Sequence, residues 1–447
     1  MKILIRKWLA RSQVFFILWC VAAAFGTYFC MYAFRKPFTA GTYGDFALWG
    51  FHYKTVLIVA QVIGYMCSKW VGIKVISELK PAFRQTLIVG LIVFAEMSLL
   101  FFGLVPAPYN FIFLFFNGLP LGMVWGVIFS YLEGRKFTEA LGMGLSISLI
   151  VSSGFLKTVY FQIQYFFPGL TEFWLPTIIG LLFLPAFLFF SWMLQLIPPP
   201  TESDKILRSE RLPMTGDDKR LVMKNFGLGV MGFVLIYILL ATMRDFRDNF
   251  SVEIWNEIQP GWDRNVFSKT EAISGLIVLF SVGCLSAIRS NSKGFLAIQG
   301  LIAFGILICG ISTLAFSYKW IGPFSWMVML GTGMFLAYTP IQVALFERMI
   351  ALFKIKANAG FFVYICDACG YLGSVILLFY KEFFMKDLNW SAALTQFCYV
   401  LTIVALLALG FSHLFFSKKT ARDFQKKGAL PDDEIIKAAR PDSYVVR

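Results

Sequence analysis

This 447-residue chain is short of charge: Asp, Glu, Lys and Arg together make up 15%, and there are two histidines. A soluble domain carries about 25% charged residues, so most of this surface is not built to face water. Several function classes fall away for want of their residues. No Gly-x-x-x-x-Gly-Lys-Ser/Thr phosphate loop, no Gly-x-Ser-x-Gly elbow and no His-Glu-x-x-His helix occurs. The expectation is therefore no enzyme, no cofactor and no metal site. The eight cysteines avoid the extracytoplasmic loops expected below, which argues against a disulfide framework. Cys366 and Cys369 stand one helical turn apart inside an apolar stretch, where a thiolate is disfavoured and packing is the expected role.

What the chain has is hydrophobicity: 58% apolar residues, 18% aromatic, and a mean hydropathy of +0.71. A membrane span takes about 20 apolar residues. Twelve such stretches are readable, at about 13–36, 54–75, 84–104, 110–132, 139–163 and 173–196, then about 226–246, 271–289, 295–317, 323–346, 358–380 and 392–416. The first is too long for the core of a signal peptide and is expected to be retained. The organisation expected is an all-α polytopic membrane protein of two six-helix halves. These are residues 1–197 and 226–417, with a cytoplasmic linker at 198–225 and a tail at 418–447.

Basic residues set the orientation, because cytoplasmic loops carry the Lys/Arg excess. Lys2, Arg6, Lys7 and Arg11 precede the first span, and Lys74, Lys80 and Arg84 separate the second and third. Arg135, Lys136, the linker cations, Arg289, Lys293, Arg348, Lys354, Lys356 and Lys418 to Lys427 fall on the same side. Both termini are therefore expected in the cytoplasm, in a plasma (bacterial inner) membrane. The net charge of +14 needs no nucleic acid; it is the positive-inside signal plus attraction to anionic lipid. The expected partners are the bilayer and a small solute, with the protein a monomer.

The halves echo one another at an offset of about 212 to 216 residues, as duplicated transporters do. Phe34-Arg35-Lys36-Pro37-Phe38 matches Phe246-Arg247-Asp248-Asn249-Phe250. Tyr131-Leu132-Glu133 matches Leu345-Phe346-Glu347, and Gly154-Phe155-Leu156-Lys157 matches Gly370-Tyr371-Leu372-Gly373. Such a repeat predicts a central cavity between the halves, lined by the first, fourth, seventh and tenth spans.

Burying an unpaired ion in lipid costs at least about 2.5 to 3.5 kcal/mol, so intramembrane charges are candidates for function. They are Arg35, Lys69, Glu96, Lys157, Arg244, Arg247 and Asp367. Glu96 and Asp367 lie at mid-membrane depth and could carry a proton. Arg35 stands roughly 36 Å along a straight helix from Arg11, which puts it at the outer boundary. The repeat argues the other way, since equivalent arginines of two halves face each other, and guanidinium forks suit phosphate or carboxylate. Tryptophans 49, 174, 320 and 390 are expected as interfacial anchors. The segment from Arg244 to Glu271 reads as a solvated loop, the alternative being a cap over the cavity.

At these residues the chain resembles the organophosphate:phosphate antiporters of the major facilitator superfamily. Tyr32-Ala33-Phe34-Arg35-Lys36 is similar to the family's Tyr-x-x-Arg-Lys pattern, and Ser68-Lys69-Trp70 with Ser77-Glu78 to its second-span segment. Gly118-Leu119-Pro120-Leu121-Gly122-Met123-Val124-Trp125, Tyr338-Thr339-Pro340 and Gly370-Tyr371-Leu372-Gly373-Ser374 resemble further segments. The resemblance implies a major facilitator fold and a substrate site with Arg35 as one phosphate ligand. Arg244, or Arg247 by the internal repeat, would be the second and Lys69 an added cation; Tyr32, Tyr338 and, from its intramembrane charge, Lys157 are further candidates for the same site. Two departures stand out. The family's fifth-span His has no counterpart near Ser152-Ser153, and its Asp-Arg after the second span is Glu78-Leu79 here.

The function expected is secondary transport of a small anion, an organophosphate or phosphate, by alternating access and anion exchange. The alternatives are a proton-coupled carrier using Glu96 or Asp367, and a transport-incompetent receptor or scaffold.

Overall fold

The computed structural model describes residues 8, 9, 11–77, 79–132, 138–199, 214, 216–288, 290–355, 357, 359–384 and 389–428. The cations expected at positions 2, 6, 7, 135, 136, 289 and 356, Glu78, Glu133 and most linker residues lie outside them. The described chain is almost wholly α-helical. The first half contains α1 Gln13–Met31, α2 Tyr53–Ser77, α3 Arg84–Leu104, α4 Phe111–Leu132, α5 Thr138–Phe166 and α6 Leu175–Gln195. The second contains α7 Gly216–Asn249, α8 Ser251–Ile258, α9 Val266–Ser286, α10 Asn291–Ser317, α11 Pro323–Pro340, α12 Phe346–Phe353, α13 Ala359–Phe384 and α14 Trp390–Gly428. A two-strand hairpin, β1 Ala47–Leu48 with β2 Phe51–His52, follows α1.

Eleven of these helical stretches are long and apolar enough to cross a membrane. The twelfth span is α5, which is long enough at 29 residues but diluted by serines, glycines and Lys157. The protein is a multi-pass membrane protein with two six-helix bundles. Phe, Leu and Ile side chains such as Phe280, Leu276, Ile403 and Leu407 cover its exterior, as a lipid-facing surface requires.

Three stretches differ from the hydropathy reading. First, α7 begins at Gly216, inside the segment expected as linker; its first turn carries Asp217 and Asp218, which favour a helix N-terminus but hide it from a hydropathy window. Second, α14 runs on to Gly428, so the expected tail starts as helix. Third, the segment after Arg244 is not a solvated loop. Residues 244–249 finish α7, and α8 buries Val252, Ile254 and Trp255, turns Glu253 to Lys54 of the first bundle and leaves Glu257 exposed. Glu257 accepts from the backbone N–H groups of Trp390 (2.9 Å) and Ser391 (2.7 Å), capping the start of α14. Trp390 is also no lipid anchor: it stacks on Phe250 at 3.9 Å, with the Lys381 ammonium 4.2 Å from its ring.

Helix α2 meets α4 backbone to backbone. A Cβ on Gly64 would lie 2.1 Å from the Phe115 carbonyl, and one on Gly118 2.2 Å from the Gln61 carbonyl. Small residues at such crossings let transmembrane helices approach closely. Gly118→Ala is expected to force the pair apart and destabilise the protein by about 1 to 3 kcal/mol, read as a lowered thermal midpoint in detergent; an unchanged midpoint would contradict this packing.

Candidate functional site

A cavity of about 830 Å³ lies between the two bundles. Leu79, Arg84, Lys219 and Gly360 line it toward the side bearing the basic loops, called the basic side below. Lys36, Ser153 and Asp248 line its blind end. Residues of α1, α4, α7 and α11 contribute, as expected, and so do Tyr65 and Lys69 of α2, Ile150 of α5, Glu271 of α9 and Asp367 and Tyr371 of α13.

Arg35 enters this cavity because its helix breaks. Helix α1 stops at Met31, a tight 3-10 turn covers Tyr32–Phe34, and Pro37 starts another at Pro37–Ala40. Proline has no N–H to continue the ladder, so carbonyls near the break need other donors. Asn117 of α4 donates to Phe34 O (2.9 Å) and Ala95 O (3.0 Å). Gln61 of α2 donates to Arg35 O (3.0 Å) and to Asn117 Oδ1 (2.7 Å). Both amides are buried, and both –NH₂ groups are fully used. A straight helix would have carried Arg35 to the membrane boundary; the break retains it at the cavity. Gln61 and Asn117 were absent from the sequence reading, although an Asn and a Gln inside apolar spans are themselves a signal.

The Arg35 guanidinium sits 4.2 Å from the Tyr65 ring and 5.8 Å from Tyr32. Tyr28 packs edge-on to Tyr32, and Tyr371 crosses from the second bundle to pack 5.1 Å from Tyr65. No ion pair joins Arg35 to a carboxylate among the described residues, and its Nε is buried with no hydrogen-bond partner.

The other cations differ. Arg244 pairs with Asp245 (2.8 Å) and donates to Tyr338 Oη (2.5 Å). Arg247 is 3% exposed, donates to Glu271 (2.8 Å) and to the Met327 carbonyl (3.2 Å). Lys69 faces Asp367 across the bundles at 3.8 Å. Each of these three cations therefore has a carboxylate beside it. Arg244 is the more exposed of the α7 arginines, with 13% of its side chain accessible. A chain of hydrogen bonds runs from Asp367 through Tyr237 (2.5 Å) and Tyr338 (2.7 Å) to Arg244.

Two candidates lie elsewhere. Glu96 does not line the cavity; it is buried against Gly180 of α6, with neither carboxylate oxygen hydrogen-bonded. Lys157 lies beyond the blind end, bonded to Asp248 (2.7 Å) and Ser251 (2.8 Å). With it, the first bundle's Lys36 and Lys54 meet the second bundle's Asp248 (2.5 Å) and Glu253 (2.6 Å), and Thr55 and His52 meet Glu382. These bonds shut the cavity on the side away from the basic loops.

The sequence of a family described as "Family of unknown function (DUF5690)" matches residues 37–419, across both bundles. The chain belongs to this family. Among curated proteins no sequence matches. Solved structures do. The nucleoside transporter NupG is 14% identical with a TM-score of 0.57 over 90% of this chain and 99% of that one. A D-xylose-proton symporter is 14% identical with a TM-score of 0.59 over 90% and 97%. A bacterial homolog of the human lysosomal transporter Spinster, inward-facing and unoccupied, is 13% identical with a TM-score of 0.57 over 91% and 97%. At such identities the likeness is one of fold, and the fold of this DUF5690 member is that of the major facilitators.

Asn117→Leu leaves the Phe34 carbonyl at the break without a donor, at about 1 to 3 kcal/mol, while the Ala95 carbonyl keeps its partner within α3. It is expected to lower the thermal midpoint and to raise the rate at which phenylglyoxal modifies Arg35, followed by mass spectrometry. A variant of wild-type stability and Arg35 reactivity would show that the break holds itself.

Proposed function

We propose that this protein is a secondary transporter that carries a small organic anion by alternating access, with Arg35 binding the anionic group. The observation that carries the reading is the pairing pattern: Lys69, Arg244 and Arg247 each face a carboxylate, and Arg35 has none among the described residues. An unpaired guanidinium at membrane depth is costly unless a ligand neutralises it, and its fork suits a carboxylate or a phosphate ester. The tyrosines around it supply hydroxyl donors and ring faces for the rest of the solute. A guanidinium with no carboxylate partner, deep between the bundles, favours one compact anionic group, a carboxylate or a phosphate ester, bound from the first bundle. The arrangement open at the basic side and bolted at the other is one of the two states that alternating access needs.

Coupling by exchange rests on the same residue: bound anion shields Arg35 while the bundles rock, so a trans anion should speed efflux. Asp367 favours a second reading. It lines the cavity, its pairing with Lys69 spans the bundles, and it is wired to Arg244 through two tyrosines; a proton on Asp367 would release Lys69 and drive symport instead.

The test is counterflow in proteoliposomes with a panel of phosphate esters, carboxylates and their neutral analogues. Arg35→Lys keeps the charge and loses the fork, and is expected to slow anion exchange by about tenfold or more, the worth of one charge-assisted hydrogen bond. Exchange by Arg35→Lys at the wild-type rate would refute the anion reading. Uptake driven by a pH gradient with no trans anion, abolished in Asp367→Asn, would move the coupling to Asp367.

A further inference from the structure

The blind end of the cavity is built from unequal charges. Asp248 of α7 is the carboxylate that two lysines share there, and both its oxygens are taken by the first bundle: Oδ2 by Lys36 Nζ at 2.5 Å, and Oδ1 by Lys157 Nζ at 2.7 Å and Ser153 Oγ at 2.5 Å. Ser153 and Lys157 are four residues apart on α5 and share a face. Lys36 is fixed by the helix break beside Arg35, where its carbonyl also accepts from Thr39. The other acceptors of the two ammonium groups are Asn249 Oδ1, Ser251 Oγ and the Asp248 carbonyl, all on the second bundle. Every donor thus belongs to one half and every acceptor to the other. The internal repeat explains the meeting, since Lys36 and Asp248 occupy equivalent positions of the two halves and come together between them.

We propose that Lys36, Lys157 and Ser153 form an anion site in their own right, one that Asp248 fills as a built-in ligand here and that a carboxylate or phosphate-type solute fills once the bundles part on this side. The proposal rests on the alternating-access reading. Parting strips two buried lysines of all the acceptors named above at once, and uncompensated buried cations are costly. An incoming anion replaces Asp248 group for group: two ammonium donors and a hydroxyl arranged around a carboxylate. Because Lys36 adjoins Arg35 in the chain, the anion so captured lies one residue from the central guanidinium. The site accordingly takes the anionic head of the same solute on its way in, and Asp248 expels it as this side closes.

Chemical rescue tests this without a transport assay. Asp248→Ala removes the built-in ligand, and formate is the probe for the vacated place. Thermal midpoints are measured in detergent across a series of sodium formate concentrations, with sodium chloride at equal ionic strength as reference. Formate is expected to raise the midpoint of Asp248→Ala by a saturable shift of several degrees, as a ligand bound only to the folded state must. The shift should exceed any seen in wild type, where Asp248 fills the place and formate can reach only Arg35, and should fall to the wild-type value in Asp248→Ala carrying Lys157→Met. No formate-dependent shift in folded Asp248→Ala would overturn the proposal, and so would an equal shift in wild type or in the double variant. If Asp248→Ala is not recovered folded, Asp248→Ser, which keeps one oxygen for the lysines and still leaves room for formate, is put through the same series with the same readings. Formate binding to the variant alongside failed counterflow in wild type would keep this site and overturn the transport reading; counterflow without formate binding would do the reverse.

Discussion

A guanidinium held at membrane depth by a broken helix is the constraint around which the rest is arranged. Arg35 reaches the cavity only because α1 ends at Met31 and Pro37 prevents the helix from resuming. The break is stable only because Asn117 and Gln61 supply donors to the Phe34 and Arg35 carbonyls. Those two amides reach that far only because Gly64 and Gly118 let α2 and α4 touch. Packing, hydrogen bonding and charge placement form one dependency, with the arginine at its end.

The second organising fact is a division of charge. The first bundle presents Arg35, Lys36, Lys54, Lys69 and Lys157 to the interface; the second presents Asp248, Glu253, Asp367 and Glu382. Attraction across this boundary closes the side away from the basic loops, and the lysine–carboxylate pairs there are short, at 2.5 to 2.8 Å. On the open side the one cross-bundle pair, Lys69 with Asp367, is stretched to 3.8 Å among the described residues. Short on one side and long on the other fits the proposed alternating access, with the bundles leaning one way. Desolvated ion pairs bring little net stability against apolar packing, so they suit a contact that must open as well as close.

Much of this was legible in the sequence. Hydropathy located the spans because lipid imposes a long apolar run on each one, and the repeat brought Arg35 and Arg247 into one cavity. What failed has physical causes. Depth counted along a straight helix misplaced Arg35, because it took no account of the break before Pro37. The α7 start escaped because Asp217 and Asp218 look like loop while serving the helix dipole. Helix α8 was read as loop because its mixed charge outweighed the apolar face formed by Val252 and Trp255. Lys157 was taken for a cavity cation because its partners, Asp248 and Ser251, are about 90 residues away in sequence and only the fold joins them.

The central claim is that Arg35 recognises an anionic group, and equilibrium binding tests it most directly. Purified protein is titrated with organic anions and with their neutral amides of the same size, in wild type and in Arg35→Gln. The account predicts that an anion binds wild type, that its amide does not, and that Arg35→Gln loses the anion while keeping the wild-type thermal midpoint. An anion bound equally well by Arg35→Gln would contradict it.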